Sequence, residues 1–252
     1  MRYDFDRAAD EWIRIPVDDV GYIHAADLYR MPDKEFLDLV HRAERARYWG
    51  WRNAGNKWRE NLGLDTTHGK RVMDFGCGIG LEALQFARAG NEVILCDLHP
   101  ASIAVARRTL KLHGYEDAVY DVRRSFFTEP YVRYIEDIDI FYANGVLHHL
   151  PYDRELLHSV KEYLAPDGEV RLMVYTDWGW EHAVGTSAPE GRACDDANYT
   201  LFLRFFDEVG EYADFYNARR MKERFGDDYE LFHFDYITLT RQYATAVLKP
   251  RG

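Results

Sequence analysis

The amino-acid sequence predicts an α/β protein built on a mostly parallel sheet, and three observations carry that prediction. From about Lys70 onward, short apolar runs alternate with amphipathic stretches, the pattern of successive strand-helix-strand units. Three glycines within five residues, Gly76, Gly78 and Gly80, separate the first apolar run from the first helix-like run. The chain of 252 residues is 47% hydrophobic, enough for one large domain with additions and a sizeable core.

The elements follow in order. "KRVMDF" reads as a first strand and "LEALQFARAG" as a helix ending at Gly90. "NEVILCD" is a second strand, and "ASIAVARRTLKLHG" a helix with Pro100 in its first turn and Gly114 as its C-cap. A third strand near "AVYDVRR", a fourth at "IDIFYAN", a helix at "DRELLHSVKEYLA" and a fifth strand at "EVRLMVYT" continue the series, with "APDG" as a turn. The rhythm then breaks. "DWGWEHAVGTSAPEGRAC" reads as loop, "DANYTLFLRFFDEVGEY" and "ARRMKERF" as helices, and "YELFHFDYIT" and "RQYATAVLKP" as a terminal strand pair forming an antiparallel edge. Residues 1–69 show helical spacing around "DKEFLDLVHRAERARYW" and no strand signal, so a helical cap or lid is expected there. It would sit on a core of residues 70–252, with 177–227 a loop–helix insertion toward an acceptor site.

Composition narrows the function classes. Thirty-two Lys and Arg against 43 Asp and Glu give a net charge of −11, which repels nucleic-acid phosphates and anionic membranes. Cys77, Cys96 and Cys194 are odd in number and lack CxxC spacing, so no disulfide framework or zinc site is indicated and a reducing cytoplasm fits best. "MRYDFDRAADEW" has no apolar centre for a signal peptide, and no apolar run approaches the ~20 residues of a membrane span. The expectation is a cytoplasmic protein with no nucleic-acid or membrane partner; oligomeric state is left open.

Glycine lets main chain pass close to a ligand and adopt positive φ, so the glycine turn marks a binding place. Two chemistries compete for it. The dinucleotide fingerprint G-x-G-x-x-G/A would put its third small residue at Leu81, too bulky for close helix-to-strand packing. What stands there is Asp74 followed by Gly76, Gly78 and Gly80, with Asp97 ending the second strand 23 residues on. Later, "YANGVLHHLPYDRELLHSVKEYLAPDGEVRLMVY" carries an "LHHLP" turn and an "L-x-P-x-G" turn.

In these motifs the chain resembles the class I S-adenosylmethionine-dependent methyltransferases of small-molecule type, over roughly residues 68–176. The resemblance implies a doubly wound, mostly parallel, seven-stranded Rossmann-like sheet with an antiparallel last strand. It implies S-adenosylmethionine as cofactor, S-adenosylhomocysteine as product, and a small-molecule acceptor methylated at oxygen, nitrogen or carbon. Carried over residue by residue, Asp74, Gly76, Cys77, Gly78 and Gly80 would form the cofactor loop, Asp97 and Leu98 would meet the ribose side, and Asn144 would line the methyl's exit path. The family's acidic adenine contact is missing from "VRRSFFTEP", which leaves Ser125 and Phe126 in that place.

His148 and His149 are the candidate general bases, since an imidazole can take a proton near neutral pH. No HxxH, HExxH or tight carboxylate cluster points to a metal site. The cap is rich in rings, among them Trp12, Tyr48, Trp49, Trp51 and Trp58, with Trp178 and Trp180 after the fifth strand. These rings suit either a cationic acceptor in an aromatic cage or an apolar one by stacking. Among Arg47, Arg52 and Arg59, one could pair with the cofactor's carboxylate. Three alternatives stay open: a protein or RNA methyltransferase, a catalytically silent cofactor-binding subunit, and a nicotinamide-dependent dehydrogenase.

Overall fold

The computed structural model describes residues 10, 12–50, 57–116, 119–123, 136–207 and 212–252. Its centre is a seven-stranded sheet of β3 (Arg71–Phe75), β4 (Glu92–Asp97), β5 (Val119–Arg123), β6 (Ile138–Asn144), β7 (Leu164–Tyr175), β8 (Tyr229–Tyr236) and β9 (Tyr243–Pro250). The spatial order is β5-β4-β3-β6-β7-β9-β8. Strands β3 to β7 pair in parallel, whereas β9 runs antiparallel to both β7 and β8. The sheet therefore has the expected strand number and orientation.

The parallel strands read as continuous apolar runs because both faces are covered. Val72, Leu95, Ile140 and Tyr142 face one core with α4 (Leu81–Arg88) and α5 (Pro100–Leu112). Their neighbours Met73, Ile94, Phe141 and Ala143 face a second core with α6 (Asp153–Val160) and α9 (Ala218–Phe225). The chain order reverses at β3, whose neighbours are β4 and β6. Such a switch point opens a crevice beyond the carboxyl ends of the strands.

The N-terminal region corrects the expectation of a purely helical cap. Before α1 (Ala25–Arg30), α2 (Asp33–Trp49) and α3 (Lys57–Asn61) stands an antiparallel hairpin, β1 (Arg14–Val17) and β2 (Gly21–His24). A four-residue strand is too short to show a period of two, and its turn uses Asp19 at φ +65° and Gly21 at φ +99°. Leu28, Phe36, Leu39, Val40, Tyr48 and Trp58 of the cap join the α4/α5 core, so cap and sheet share one apolar interior.

Two further readings are corrected. Residues expected as loop include α7 (Asp177–Val184), capped by the Thr176 hydroxyl, which accepts from the Gly179 amide, and stopped by Gly185 at φ +77°. Gly179 masks the helix in the sequence, and it is needed because a Cβ there would stand 2.6 Å from the Phe206 ring. Of the helix expected over 196–212, the described part is α8 (Tyr199–Phe202) followed by a π turn, Leu203–Asp207, and residues 208–211 lie outside the described residues.

Candidate active site

The crevice at the β3/β6 switch point is a cavity whose walls include Gly76, Gly78, Asp97, Leu98, Ser102, Asn144, Val146 and His149. β3 ends in the glycine loop, β4 in Asp97 and β6 in Asn144, so three strand ends converge there. The Gly76 and Cys77 amides donate to the Cys96 carbonyl at 2.8 and 3.1 Å, folding the loop over the end of β4.

The three glycines differ in what requires them. All have positive φ, at +74°, +51° and +82°. A Cβ on Gly76 would stand 2.3 Å from Val146 Cγ2, and one on Gly80 would stand 3.0 Å from Ala106 of α5. Gly80 thus supplies the close helix packing that the dinucleotide fingerprint assigns to its third glycine. A Cβ on Gly78 would meet Ile15 Cγ2 at 3.5 Å and the Gly76 carbonyl oxygen at 4.0 Å, both ordinary contacts.

Asp97 accepts from the Gly78 amide through Oδ2 and from the His99 amide through Oδ1, each at 3.0 Å. Burial pushes its carboxyl up, opposed by these two amides. Each oxygen keeps a lone pair for a ligand hydroxyl, as a ribose diol requires. Asn144 donates through Nδ2 to Glu82 Oε1 at 3.1 Å, while its buried Oδ1 has no hydrogen-bond partner among the described residues. A diol acceptor, close main chain and an orphaned acceptor on one cavity fit the polar groups of S-adenosylmethionine.

Other expected site residues lie off the cavity. Asp74 is buried beneath the loop, and its Oδ2 accepts from the Ala83 amide at 3.1 Å in the first turn of α4. Burial, then Glu82, push that carboxyl well above the usual range. Cys77 and Gly80 shape the loop from behind. Ser125 and Phe126 fall outside the described residues.

The two histidines separate sharply. His148 is fully buried and stacks on Tyr175 at 3.5 Å, and its Nδ1 accepts from the Tyr175 amide at 3.2 Å. Burial holds its pKa well below the ordinary 6.5. It braces the turn against β7 and is not among the described residues that line the cavity. His149 does line the cavity. Its Nδ1 lies 3.2 Å from the Tyr212 carbonyl and 3.5 Å from Asp207 Oδ1. A carbonyl only accepts, so Nδ1 carries the proton and Nε2 is left basic.

The sequence reading missed several wall residues. Ile15 and Pro16 come from the hairpin, and Leu150 and Tyr152 from the turn after His149. Asp207 arrives from the π turn, where its Oδ1 also accepts from the Tyr175 hydroxyl at 3.2 Å. No spacing in the chain links it to His149. Of the rings singled out above, Trp12 lines the cavity, Tyr48, Trp58 and Trp180 are buried packing residues, Trp49 and Trp178 are exposed, and Trp51 lies outside the described residues.

Known proteins resemble the chain in sequence and in fold. A family model described as a methyltransferase domain matches residues 73–170. A ubiquinone biosynthesis O-methyltransferase of Hahella chejuensis is 30% identical over 149 residues, covering 54% of this chain and 58% of that protein. The protein of the same description from Erwinia tasmaniensis is 32% identical over 103 residues, covering 40% and 41%. The chain thus spans about half the length of the curated relatives it matches.

Among solved structures, a SAM dependent methyltransferase from Aquifex aeolicus is 12% identical, with a TM-score of 0.56 over 88% of this chain and 100% of that one. Magnesium protoporphyrin IX methyltransferase from Synechocystis PCC 6803, solved with bound SAH, is 15% identical, with a TM-score of 0.54 over 98% and 95%. These likenesses are of fold. Residues 73–170 thus match a methyltransferase domain, and the sheet shares its fold with solved S-adenosylmethionine-dependent methyltransferases.

Proposed function

We infer that this protein transfers a methyl group from S-adenosylmethionine to a small, largely apolar acceptor, and that the accepting atom is a hydroxyl oxygen. The observation that supports the reading is the placement of His149 on the same cavity as Asp97 and the glycine loop, with Nδ1 against the Tyr212 carbonyl. When bound, the cofactor supplies an activated methyl on a sulfonium, so the protein's task is to hold, align and exclude water. Gly76 and Gly78 admit the ligand against main chain, Asp97 takes the ribose diol, and Asn144 Oδ1 takes a donor of the methionine portion. Alignment of acceptor and methyl contributes on the order of 7–11 kcal/mol of barrier lowering. His149 Nε2 receives the hydroxyl proton as the oxygen–carbon bond forms and the carbon–sulfur bond breaks. The Tyr212 carbonyl and the nearby Asp207 carboxylate stabilise the imidazolium that results.

The acceptor's nature is read from the wall. Asp97 is the one carboxylate among the described lining residues, and the Asp97 side of the cavity belongs to the cofactor. The Trp12 ring lies 4.8 Å from the His149 ring, and Ile15, Pro16, Leu150 and Tyr152 add further apolar and aromatic wall. This lining favours an apolar or aromatic acceptor over a cationic one, and it is consistent with the O-methyltransferase description of the relatives. The test uses the full chain with methyl-labelled cofactor and a panel of phenols, catechols, amines and carbon acids, with products identified by mass spectrometry. Label in aryl ethers supports the reading; label confined to amines, or to polypeptide or RNA, overturns it.

A further inference from the structure

Arg47 is not among the described residues that line the cavity. It lies in the last turn of α2 with its side chain 10% exposed, and its hydrogen bonds run to two carboxylates from distant parts of the chain. Nη1 donates to Glu82 Oε1 and Oε2 at 2.9 and 2.7 Å, and Nε donates to Asp18 Oδ2 at 2.6 Å. Asp18 sits at the turn between β1 and β2; Glu82 sits in the first turn of α4, directly after the glycine loop. Glu82 Oε1 also accepts from the Tyr48 hydroxyl at 2.9 Å and from Asn144 Nδ2.

We propose that the buried triad Asp18–Arg47–Glu82 seats the N-terminal hairpin as the roof of the cofactor cavity, which makes Asp18 and Glu82 positioning residues for ligand binding. The hairpin segment carries Trp12, Ile15 and Pro16 into the cavity wall. Ile15 Cγ2 lies within van der Waals distance of the Gly78 Cβ position, and the Trp12 ring lies 4.8 Å from the His149 ring. One short segment therefore spans the site from the cofactor loop to the candidate base.

A purely apolar contact would hold the hairpin down without fixing its register, at lower desolvation cost than three buried charges. Here Nη1 reaches both Glu82 oxygens while Nε reaches Asp18, so the planar guanidinium ties the two segments together in a fixed direction. Burial works against the Arg47 charge, but Asp18 and Glu82 outweigh it and hold the group cationic. Glu82 has a second consequence. As a carboxylate it only accepts, so it draws Asn144 Nδ2 and turns Oδ1 away, which leaves the orphaned acceptor free for a ligand donor. Roof and wall are thus set by the same ion triad.

The proposal rests on the cavity being the cofactor site, and the test separates the two. S-adenosylhomocysteine is titrated by calorimetry into the full chain and into Asp18→Asn, Trp12→Leu, the double variant, and Tyr229→Phe. The last removes a buried hydrogen bond to the Leu157 carbonyl at the far edge of the sheet and controls for lost stability alone. Asp18→Asn is expected to raise Kd about tenfold, with Tyr229→Phe unchanged. If Asp18 acts by seating the roof, Trp12→Leu adds little once Asp18 is gone, so the double variant falls well short of the product of the single effects. Wild-type affinity in Asp18→Asn, fully multiplicative effects, or an equal loss in Tyr229→Phe would overturn the proposal. No binding by the unaltered chain would overturn the cofactor reading and this inference with it.

Discussion

Alanine substitutions at Gly78 and Gly80 are expected to have clearly different costs, although both glycines have positive φ and only one residue separates them. The left-handed conformation costs a residue with Cβ about 1–2 kcal/mol at either position. At Gly80 the new methyl would also stand 3.0 Å from both Cα and Cβ of Ala106, which are backbone-anchored atoms that cannot swing away. Overpacking of this kind adds about 1–3 kcal/mol. At Gly78 the nearest atom is Ile15 Cγ2 at 3.5 Å, an ordinary contact that adds nothing. The sum is about 2–5 kcal/mol for Gly80→Ala and about 1–2 kcal/mol for Gly78→Ala. For a chain of this size each kcal/mol moves the melting point by about 2–4 °C, so Gly80→Ala should melt about 2–12 °C below Gly78→Ala. Differential scanning calorimetry without ligand measures this directly. Equal melting points for the two variants would refute the argument that Gly80 is required by its contact with α5. Gly78→Val adds branched carbons toward Ile15, so its loss of ligand binding would come through a displaced hairpin rather than by direct intrusion on the ligand.

Three further outcomes are expected. Asp97→Ala removes a charge-assisted acceptor of the ribose diol at a cost of about 1.5–3 kcal/mol, a ten- to hundredfold rise in the Kd of S-adenosylhomocysteine by calorimetry; an unchanged Kd would refute the ribose assignment. His149→Gln should lower kcat for a hydroxyl acceptor about 10²- to 10⁴-fold while leaving S-adenosylhomocysteine affinity within twofold, and an unchanged kcat would remove His149 from proton transfer. His148 is buried with its pKa depressed, so the unfolded chain binds its proton more readily; its contribution is intact above pH 6.5 and is lost as pH falls below that value, by at most about 1.4 kcal/mol per pH unit. His148→Asn, which keeps an acceptor for the Tyr175 amide, should flatten the fall in melting point between pH 6.5 and 5; an identical slope in both proteins would assign the acid sensitivity elsewhere.

The sheet was legible along the chain because strands buried on both faces are largely apolar, and "VILC" and "IFYA" show that without any knowledge of their neighbours. The glycine loop was legible for a similar local reason: Gly76, Gly78 and Gly80 answer to their own φ values as much as to anything they touch. Asp97 could be placed at the mouth of the site because it ends a strand whose direction the pattern predicts. What distinguishes His148 from His149 is not local. Adjacent residues in a tight turn point apart, and only the packing of β7 on one side and the cavity on the other decides which ring is buried against Tyr175 and which meets a ligand. The partnership of His149 with the Tyr212 carbonyl and Asp207 joins residues some 60 positions apart, and that of Arg47 with Asp18 and Glu82 joins three segments. Arg47 looks like a solvated helix-face cation in the sequence, since its partners are brought to it only when the cap folds onto α4. Hydrophobic period and turn chemistry act within a few residues and can be read in one dimension. Charge pairing, ring stacking and cavity walls depend on which surfaces the completed sheet brings together, and the tertiary structure alone decides them.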